Sequence, residues 1–227
     1  MISLKNNATI EQLKKEYQLT LSKFSHEIRN PIALISSELQ IIASSHPEVT
    51  SYPCWEDMID HVDYVKELLN EFSSYNNADQ ISPQSLCLAD YLESILNIIR
   101  PTLDYLGIQL KTEIAPDLPE LPIDSIKMRQ ALLNLLRNAQ ESINHPNGII
   151  HVKAFSRNGK ICICIKDNGC GISPEQAQTI FEPFVTFKPA GTGLGLSVTR
   201  QIIESHGGKI EFSSIPDQGS EFRIILG

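Results

Sequence analysis

Basic residues are in short supply in this chain: of 227 residues, 19 are Lys or Arg against 27 Asp or Glu, a formal net charge of -8. A surface of that sign repels a phosphate backbone or an anionic membrane, which excludes nucleic acid as a natural partner. Long apolar runs are also missing. No stretch approaches the roughly 18 apolar residues that a membrane helix requires, so direct membrane insertion is not expected. The opening MISLKNNATI has neither the basic segment nor the apolar core of a signal peptide, and the expectation is a soluble, cytoplasmic protein. No low-complexity tract dilutes the 41% of hydrophobic residues, enough for a sizeable core. Cysteine is sparse and odd in number: Cys54, Cys87, Cys162, Cys164 and Cys170. None has a partner pair at zinc-ligand spacing, so buried reduced thiols are expected, with Cys162 and Cys164 sharing one face of a strand in the run ICICI.

The sequence divides near residue 80. From Ile10 to Ile42, apolar residues recur as Ile10, Leu13, Tyr17, Leu21, Phe24, Ile28, Ile35, Leu39 and Ile42, steps of three, four or their sums that predict one long helix with a coiled-coil-like stripe. Two prolines and several turn formers fill Ser44 to Cys54, after which Trp55, Met58, Ile59, Val62, Val65, Leu69 and Phe72 resume the helical spacing. Two such helices form a hairpin with a wide apolar face that nothing else in the segment covers, and pairing two hairpins into a four-helix bundle is the economical solution. Residues 1–80 hold 12 acidic and 6 basic residues, and residues 81–227 hold 15 and 13.

The stretch NNADQISPQS reads as a linker. Beyond it the pattern predicts a helix (Ala89–Leu106), a strand (Ile108–Ile114), a proline-punctuated loop and a helix (Ser125–Ile143). Two strands joined at Arg157-Asn158-Gly159, a glycine-rich stretch, a helix (Leu194–His206) and two closing strands (Lys209–Ser213, Ser220–Leu226) complete it. This is an α+β chain whose second part is a mixed α/β layer, not a doubly wound one.

Two glycine-rich runs carry the chemistry: Asp167-Asn168-Gly169-Cys170-Gly171 after a strand, and Gly191-Thr192-Gly193-Leu194-Gly195-Leu196 opening a helix. Free amides at a helix N-terminus suit phosphate, and glycines let backbone approach it. The second run is not a dinucleotide fingerprint, because it follows a loop and lacks a βαβ frame. Asn134 and Asn138 lie four apart on one face of an otherwise apolar helix. Amide oxygen there is a hard ligand suited to Mg²⁺ beside phosphate oxygens. His26 lies two residues from both Phe24 and Ile28, about 200° around the helix from each, and so points to solvent.

The order N-L-L-R-N-A, D-N-G-C-G, F-E-P-F, G-T-G-L-G-L and G-S-E-F resembles the N, G1, F, G2 and G3 boxes of the ATP-binding domain of bacterial sensor histidine kinases. Phe24-Ser25-His26-Glu27-Ile28-Arg29-Asn30-Pro31 resembles their H box, so the likeness spans residues 10–227. It departs at Phe187, where a threonine is usual before the lysine. The resemblance implies that residues 1–80 are a dimerisation and histidine-phosphotransfer hairpin, and that residues 81–227 are an α/β sandwich of the gyrase, Hsp90, histidine kinase and MutL type.

It further implies ATP and Mg²⁺ as cofactors, autophosphorylation of His26, and transfer to an aspartate on a response regulator receiver domain docked near Ala33 and Ser37. Glu27 would take the Nδ1 proton while Nε2 attacks, and Asn30 would support a phosphatase reaction. Nucleotide contacts would come from Asn134, Asn138, Asp167, Gly169, Gly171, Ile172, Lys188, Gly191, Thr192, Gly193, Leu194, Gly195 and Leu196, with Asn138 the metal ligand and Asn134 assisting. The segment between Gly171 and Gly191, with Phe181, Phe184 and Lys188, would be a mobile lid. A gyrase-like hydrolase needs a carboxylate four residues before the metal asparagine to activate water, and that place holds Asn134. The sequence shows no sensor domain, so the signal comes from a separate sensor protein, or the chain is autonomous or an excised core.

Overall fold

The computed structural model describes residues 2–188 and 191–227, with side chains described from Thr20 onward. It separates into two compact units, Met1–Asn77 and Ala78–Gly227.

The first unit is a helical hairpin. Helix α1 (Ile2–Ser45) is followed by a 3₁₀ turn (Pro47–Ser51) and helix α2 (Pro53–Asn76). Proline starts the turn and the second helix, where its missing N–H costs nothing. Pro31 is different: it lies inside α1, so the carbonyl of Glu27, the residue next to His26, loses its ladder donor while the helix continues. Polar bonds tie the two helices: Lys66 Nζ donates to Ser36 Oγ at 2.6 Å, and Arg29 Nη2 donates to Asn70 Oδ1 at 3.3 Å and Ser73 Oγ at 3.0 Å. The apolar stripe is covered only in part. Leu39 is buried, but Phe24 is 57% exposed, with Ile35, Ile42 and Met58 also open, and beside the stripe Leu34 (64%) and Ile41 (63%) are exposed as well. Burial of Phe24 does not come from the hairpin itself. Ile10, Leu13 and Tyr17 lie outside the residues whose side chains are described.

The second unit is built on a five-stranded mixed sheet in the order β2-β4-β5-β7-β6. The strands are β2 (Gln109–Ile114), β4 (Ile149–Arg157), β5 (Lys160–Asp167), β6 (Lys209–Ile215) and β7 (Gly219–Leu226). β2 and β4 are parallel, and the remaining neighbours are antiparallel. At the β4–β5 turn, Asn158 (φ 54°) and Gly159 (φ 75°) are both left-handed, the conformation that matches the twist of a tight hairpin. Ile150, Val152 and Ala154 of β4 and Ile161, Ile163 and Ile165 of β5 enter one core with Leu92, Ile95, Leu96 and Leu103 of helix α3 (Leu88–Tyr105). Met128, Leu132, Leu135 and Leu136 of helix α4 (Ser125–Ser142) complete that core. Cys162 and Cys164 alternate with the core residues and are buried on the other face; Cys54, Cys87 and Cys170 are exposed, and all five are free thiols. Burial therefore accounts for two of the five.

Two short strands escape sequence reading. β1 (Gln84–Leu86) lies in the stretch read as a linker, and β3 (Leu121–Ile123) in the proline-punctuated loop. They pair antiparallel, Gln84 opposite Ile123 and Leu86 opposite Leu121. β3 runs straight into the cap of α4: Asp124 Oδ1 accepts from the amides of Ile126 and Lys127, both at 3.0 Å, and Oδ2 from the amide of Ser82 at 2.8 Å. Such a cap is worth about 1 kcal/mol, and here it also fixes the segment entering the unit. These amide donors hold the Asp124 carboxyl below the usual carboxylate range, outweighing burial. His206 Nε2 accepts from the Asp124 amide at 3.0 Å, joining the end of helix α6 (Gly195–Ser205) to the same cap. Among the described residues, no helix is long and apolar enough to cross a membrane.

Candidate nucleotide and phosphoacceptor sites

The centre of the candidate pocket is Asp167, the last residue of β5, which is 3% exposed. Its Oδ1 accepts from the Gly169 amide at 2.9 Å, Ser142 Oγ at 3.1 Å and the Ser220 amide at 3.2 Å. Among the described residues Oδ2 has no partner, so one oxygen is fixed and the other remains for a donor from outside the chain. Burial pushes the carboxyl above the usual range, and these three donors, with Asp167's own backbone amide, only partly offset it.

Sequence reading named Asp167 but missed Ser142 and Ser220, which hold it. Gly169 is required by the same arrangement, since a Cβ there would lie 2.1 Å from Ser142 Oγ. Gly171 has φ +70° and would place a Cβ 2.2 Å from the Ile215 carbonyl oxygen. Its missing side chain is thus filled by the chain's own β6–β7 turn, not by an open shelf for a ring. Ile172 continues this contact, its amide donating to Ser214 Oγ at 2.8 Å. Asn168 is structural: its Oδ1 accepts from the Ile149 amide at 2.7 Å and its Nδ2 donates to the Asn147 carbonyl at 2.9 Å.

A second group surrounds the N-terminus of α6. Gly195 opens the helix and Leu194 is its buried N-cap residue. Thr192 Oγ1 accepts from the Leu194 amide at 3.3 Å, and Leu196 packs against the core. Gly193 (φ +74°) accepts at its carbonyl from the Phe184 amide at 3.0 Å. Asn134 on α4 faces this turn: its Nδ2 donates to Thr199 Oγ1 at 2.9 Å, and its Oδ1 would lie 2.5 Å from a Cβ at Gly195. Its amide nitrogen is therefore committed to locking α4 against α6.

Asn138, one turn further along α4, presents Oδ1 to a cation. The Lys188 ammonium donates to it at 2.8 Å and also bonds Glu141 Oε2. Glu141, three residues after Asn138 and on the same face, is a site residue that sequence reading passed over; the i, i+3 spacing is the signal that would have found it. Among the described residues, no group of three or more His, Cys, Asp or Glu could by itself hold a metal. The donor set fits a cation that takes most of its ligands from phosphate oxygens and water, as Mg²⁺ does.

Most of the segment between Gly171 and Gly191 is anchored. A short helix α5 (Pro174–Ala177) starts in a capping box between Ser173 and Gln176. Ile180 is buried. The Phe181 ring packs edge-on against Phe212 at 5.8 Å and Phe222 at 6.5 Å, with Arg200 5.4 Å above its face. From Glu182 onward the segment is mostly exposed, Phe184, Phe187 and Lys188 included; Pro189 and Ala190 lie outside the described residues.

In the hairpin unit, His26, Glu27 and Asn30 are exposed on α1, as are Ala33 and Ser37. Arg29 Nη1 lies 3.4 Å from His26 Nδ1. A guanidinium only donates, so in this contact Nδ1 is the acceptor. The residue at Nδ1 is therefore Arg29, where Glu27 was expected.

Residues 123–227 match the model of the histidine kinase-, DNA gyrase B- and HSP90-like ATPase family. The chain is 33% identical over 204 residues to the sensor histidine kinase ZraS of Salmonella typhimurium, covering 89% of this chain and 44% of that protein. It is 29% identical over 231 residues to the sensory histidine kinase/phosphatase NtrB of Salmonella typhimurium, covering 95% and 65%. The fold is similar to part of full-length ShkA, solved in complex with AMPPNP, with a TM-score of 0.77 at 22% identity over 91% of this chain and 45% of that one. The chain spans about half the length of the curated relatives it matches. With the family model matching the unit that holds Asp167 and Asn138, and sensor kinases matching across both units, the comparisons support a bacterial histidine kinase catalytic core.

Proposed function

We propose that the chain is an ATP-dependent protein histidine kinase that phosphorylates His26 and passes the phosphoryl group to an aspartate of a response regulator receiver domain in the cytoplasm. One observation carries this reading: an exposed imidazole in His-Glu-Ile-Arg-Asn-Pro stands on a chain whose second unit builds a buried carboxylate with one oxygen left over. Incubation with Mg²⁺ and γ-labelled ATP tests it, and an acid-labile, base-stable label on the chain is the expected result.

In this reading Asp167 Oδ2 accepts from the adenine amino group, while the amides around Gly191, Gly193 and Gly195 receive the phosphates at the start of α6. Asn138 would hold Mg²⁺, with Asn134 keeping the facing helix in register. Bound there with the phosphates, the metal would neutralise charge that develops in phosphoryl transfer. His26 Nε2 attacks the γ-phosphorus, forming the N–P bond as the bond to the ADP oxygen breaks. The proton on the ring must move first: Arg29 has to leave Nδ1, so that Nδ1 takes up the proton as Nε2 loses its own, and Glu27 then accepts it from Nδ1. A water-activating carboxylate has no counterpart at Asn134, which favours transfer to a side chain over hydrolysis.

The open stripe on the hairpin calls for a second copy of it. Phe24, Leu34, Ile35, Ile41, Ile42 and Met58 together exceed the scattered apolar exposure usual for a monomer, and two hairpins face to face would cover them as a four-helix bundle. Ile28→Asp should convert a dimer into a monomer that still binds ATP, measured by sedimentation. A wild-type chain that sediments as a monomer at micromolar concentration would refute the bundle.

Asn30 lies one turn after His26 on the same exposed face, where its amide could hold a water in line with an aspartyl phosphate on the docked regulator. Asn30→Ala should leave self-labelling intact and slow dephosphorylation of the regulator about tenfold or more, a positioned general catalyst being worth roughly 10²-fold or more. Loss of self-labelling with dephosphorylation unchanged would make Asn30 a structural residue.

A further inference from the structure

The ammonium of Lys188 occupies the place where Asn138 would meet a metal. It bonds Asn138 Oδ1 at 2.8 Å and the Glu141 carboxylate, both on the last turns of α4, where the helix dipole and an acidic side chain together favour positive charge. The lysine's own turn is built for this. Its amide donates to Thr186 Oγ1 at 3.2 Å, its carbonyl accepts from the Gly191 amide at 3.2 Å, and a Cβ at Gly191 would lie 2.3 Å from Thr186 Oγ1. An ammonium and a divalent cation brought to the same amide oxygen repel each other at close range, so the two compete for Asn138 Oδ1.

We propose that Glu141 is a positioning residue that parks Lys188 over Asn138 in the ligand-free chain, the ammonium standing in for the metal until metal–nucleotide displaces it. The inference rests on the reading of Asn138 as the metal-holding residue. Glu141 supplies most of the attraction and Asn138 supplies the acceptor that the two cations contest. Nucleotide without metal has no claim on that oxygen and leaves the lysine parked. Metal–nucleotide takes the oxygen and frees the ammonium for the phosphate chain. The arrangement makes displacement of this one side chain depend on metal and nucleotide arriving together.

The test uses the full chain and two readouts, neither of which is phosphorylation. The first is the rate of acylation of Lys188 by an amine-reactive reagent, followed by mass spectrometry. Acylation should be slow without ligand, unchanged by ADP with EDTA, and faster with ADP and Mg²⁺, since ADP brings no γ-phosphate to shield the released amine. Glu141→Gln should give the fast rate without any ligand. The second is affinity for ADP. A half-exposed ion pair is worth a modest amount, so Glu141→Gln should bind ADP with Mg²⁺ about two- to fivefold more tightly and ADP with EDTA unchanged. Lys188→Gln should show the same gain.

Binding of ADP with Mg²⁺ tenfold weaker in Glu141→Gln would make Glu141 a metal ligand and overturn the parking role. So would equal acylation of Lys188 in the ligand-free wild type and Glu141→Gln. A wild type that binds no ADP under either condition would refute the nucleotide reading instead, and the ligand-free acylation difference would then still report the parked lysine.

Discussion

Exchanging His26 for glutamine should remove the acid-labile label completely and leave nucleotide affinity as it was. Glutamine keeps the exposed polar character and the length of the side chain, and His26 makes no core contact, so the hairpin has no reason to rearrange. What is lost is the ring nitrogen whose lone pair attacks phosphorus, and no neighbouring side chain supplies another: Glu27 and Asn30 offer oxygen nucleophiles or an unreactive amide. Autoradiography after acid and base treatment reads the label, and calorimetric titration with ADP reads the binding. Label retained in the variant would place phosphorylation elsewhere and end the kinase assignment.

Replacing Asp167 with asparagine has the opposite signature. The amide oxygen can still accept from Gly169, Ser142 and Ser220, but an NH₂ then stands where Oδ2 stood and meets the adenine amino group donor to donor. Nucleotide affinity should fall roughly 10- to 100-fold or more, the value of a hydrogen bond to a charged acceptor. The fold should not weaken. Burial raises the folded-state pKa of this carboxyl above its unfolded value, so the proton binds the folded chain more tightly. The charge therefore costs stability above the folded-state pKa, a cost that fades as pH falls through it and is gone below the unfolded value. A neutral amide carries no such cost, and the thermal midpoint without ligand at neutral pH should hold or rise. The same raised pKa means that nucleotide binding by the wild type should fade on acidification at a pH above that of an ordinary aspartate. An Asp167→Asn chain that binds ADP with wild-type affinity would remove Asp167 from the site. Asn138→Ala is the contrasting control, losing self-labelling while much of the metal-free ADP affinity survives.

How much of this was legible depends on the range over which each signal acts. The long helices were readable because a stripe of Ile, Leu and Phe at helical spacing is a local pattern, and the β4–β5 hairpin because Asn158-Gly159 tolerates two left-handed residues. The pair β1–β3 was not. Each strand has three residues, one of them Pro122 at the centre of β3, and they meet across the whole of α3 and β2, so neither carries alternation of its own. Asp167, Asn138 and the glycines stood out in sequence because their types are unusual where they occur. Their partners Ser142 and Ser220 did not, being polar residues of ordinary kinds that only the folded chain brings to Asp167; Glu141 carried the i, i+3 spacing from Asn138 but no unusual type. Phe181 was assigned to a moving segment by position alone, whereas its contacts with Phe212 and Phe222 are long-range and invisible to periodicity.

The parallel pairing of β2 with β4 has a kinetic consequence. The antiparallel neighbours β4–β5 and β6–β7 close over short turns, and such hairpins form early. β2 can join the sheet only after everything from Ala115 to Gly148 has been laid across it, and that stretch contains α4 with Asn134 and Asn138. Closing so long a loop delays the contact. The parallel edge of the sheet is thus the late-closing part of the domain, and Asn134 and Asn138 lie on the helix inside the loop that it must close.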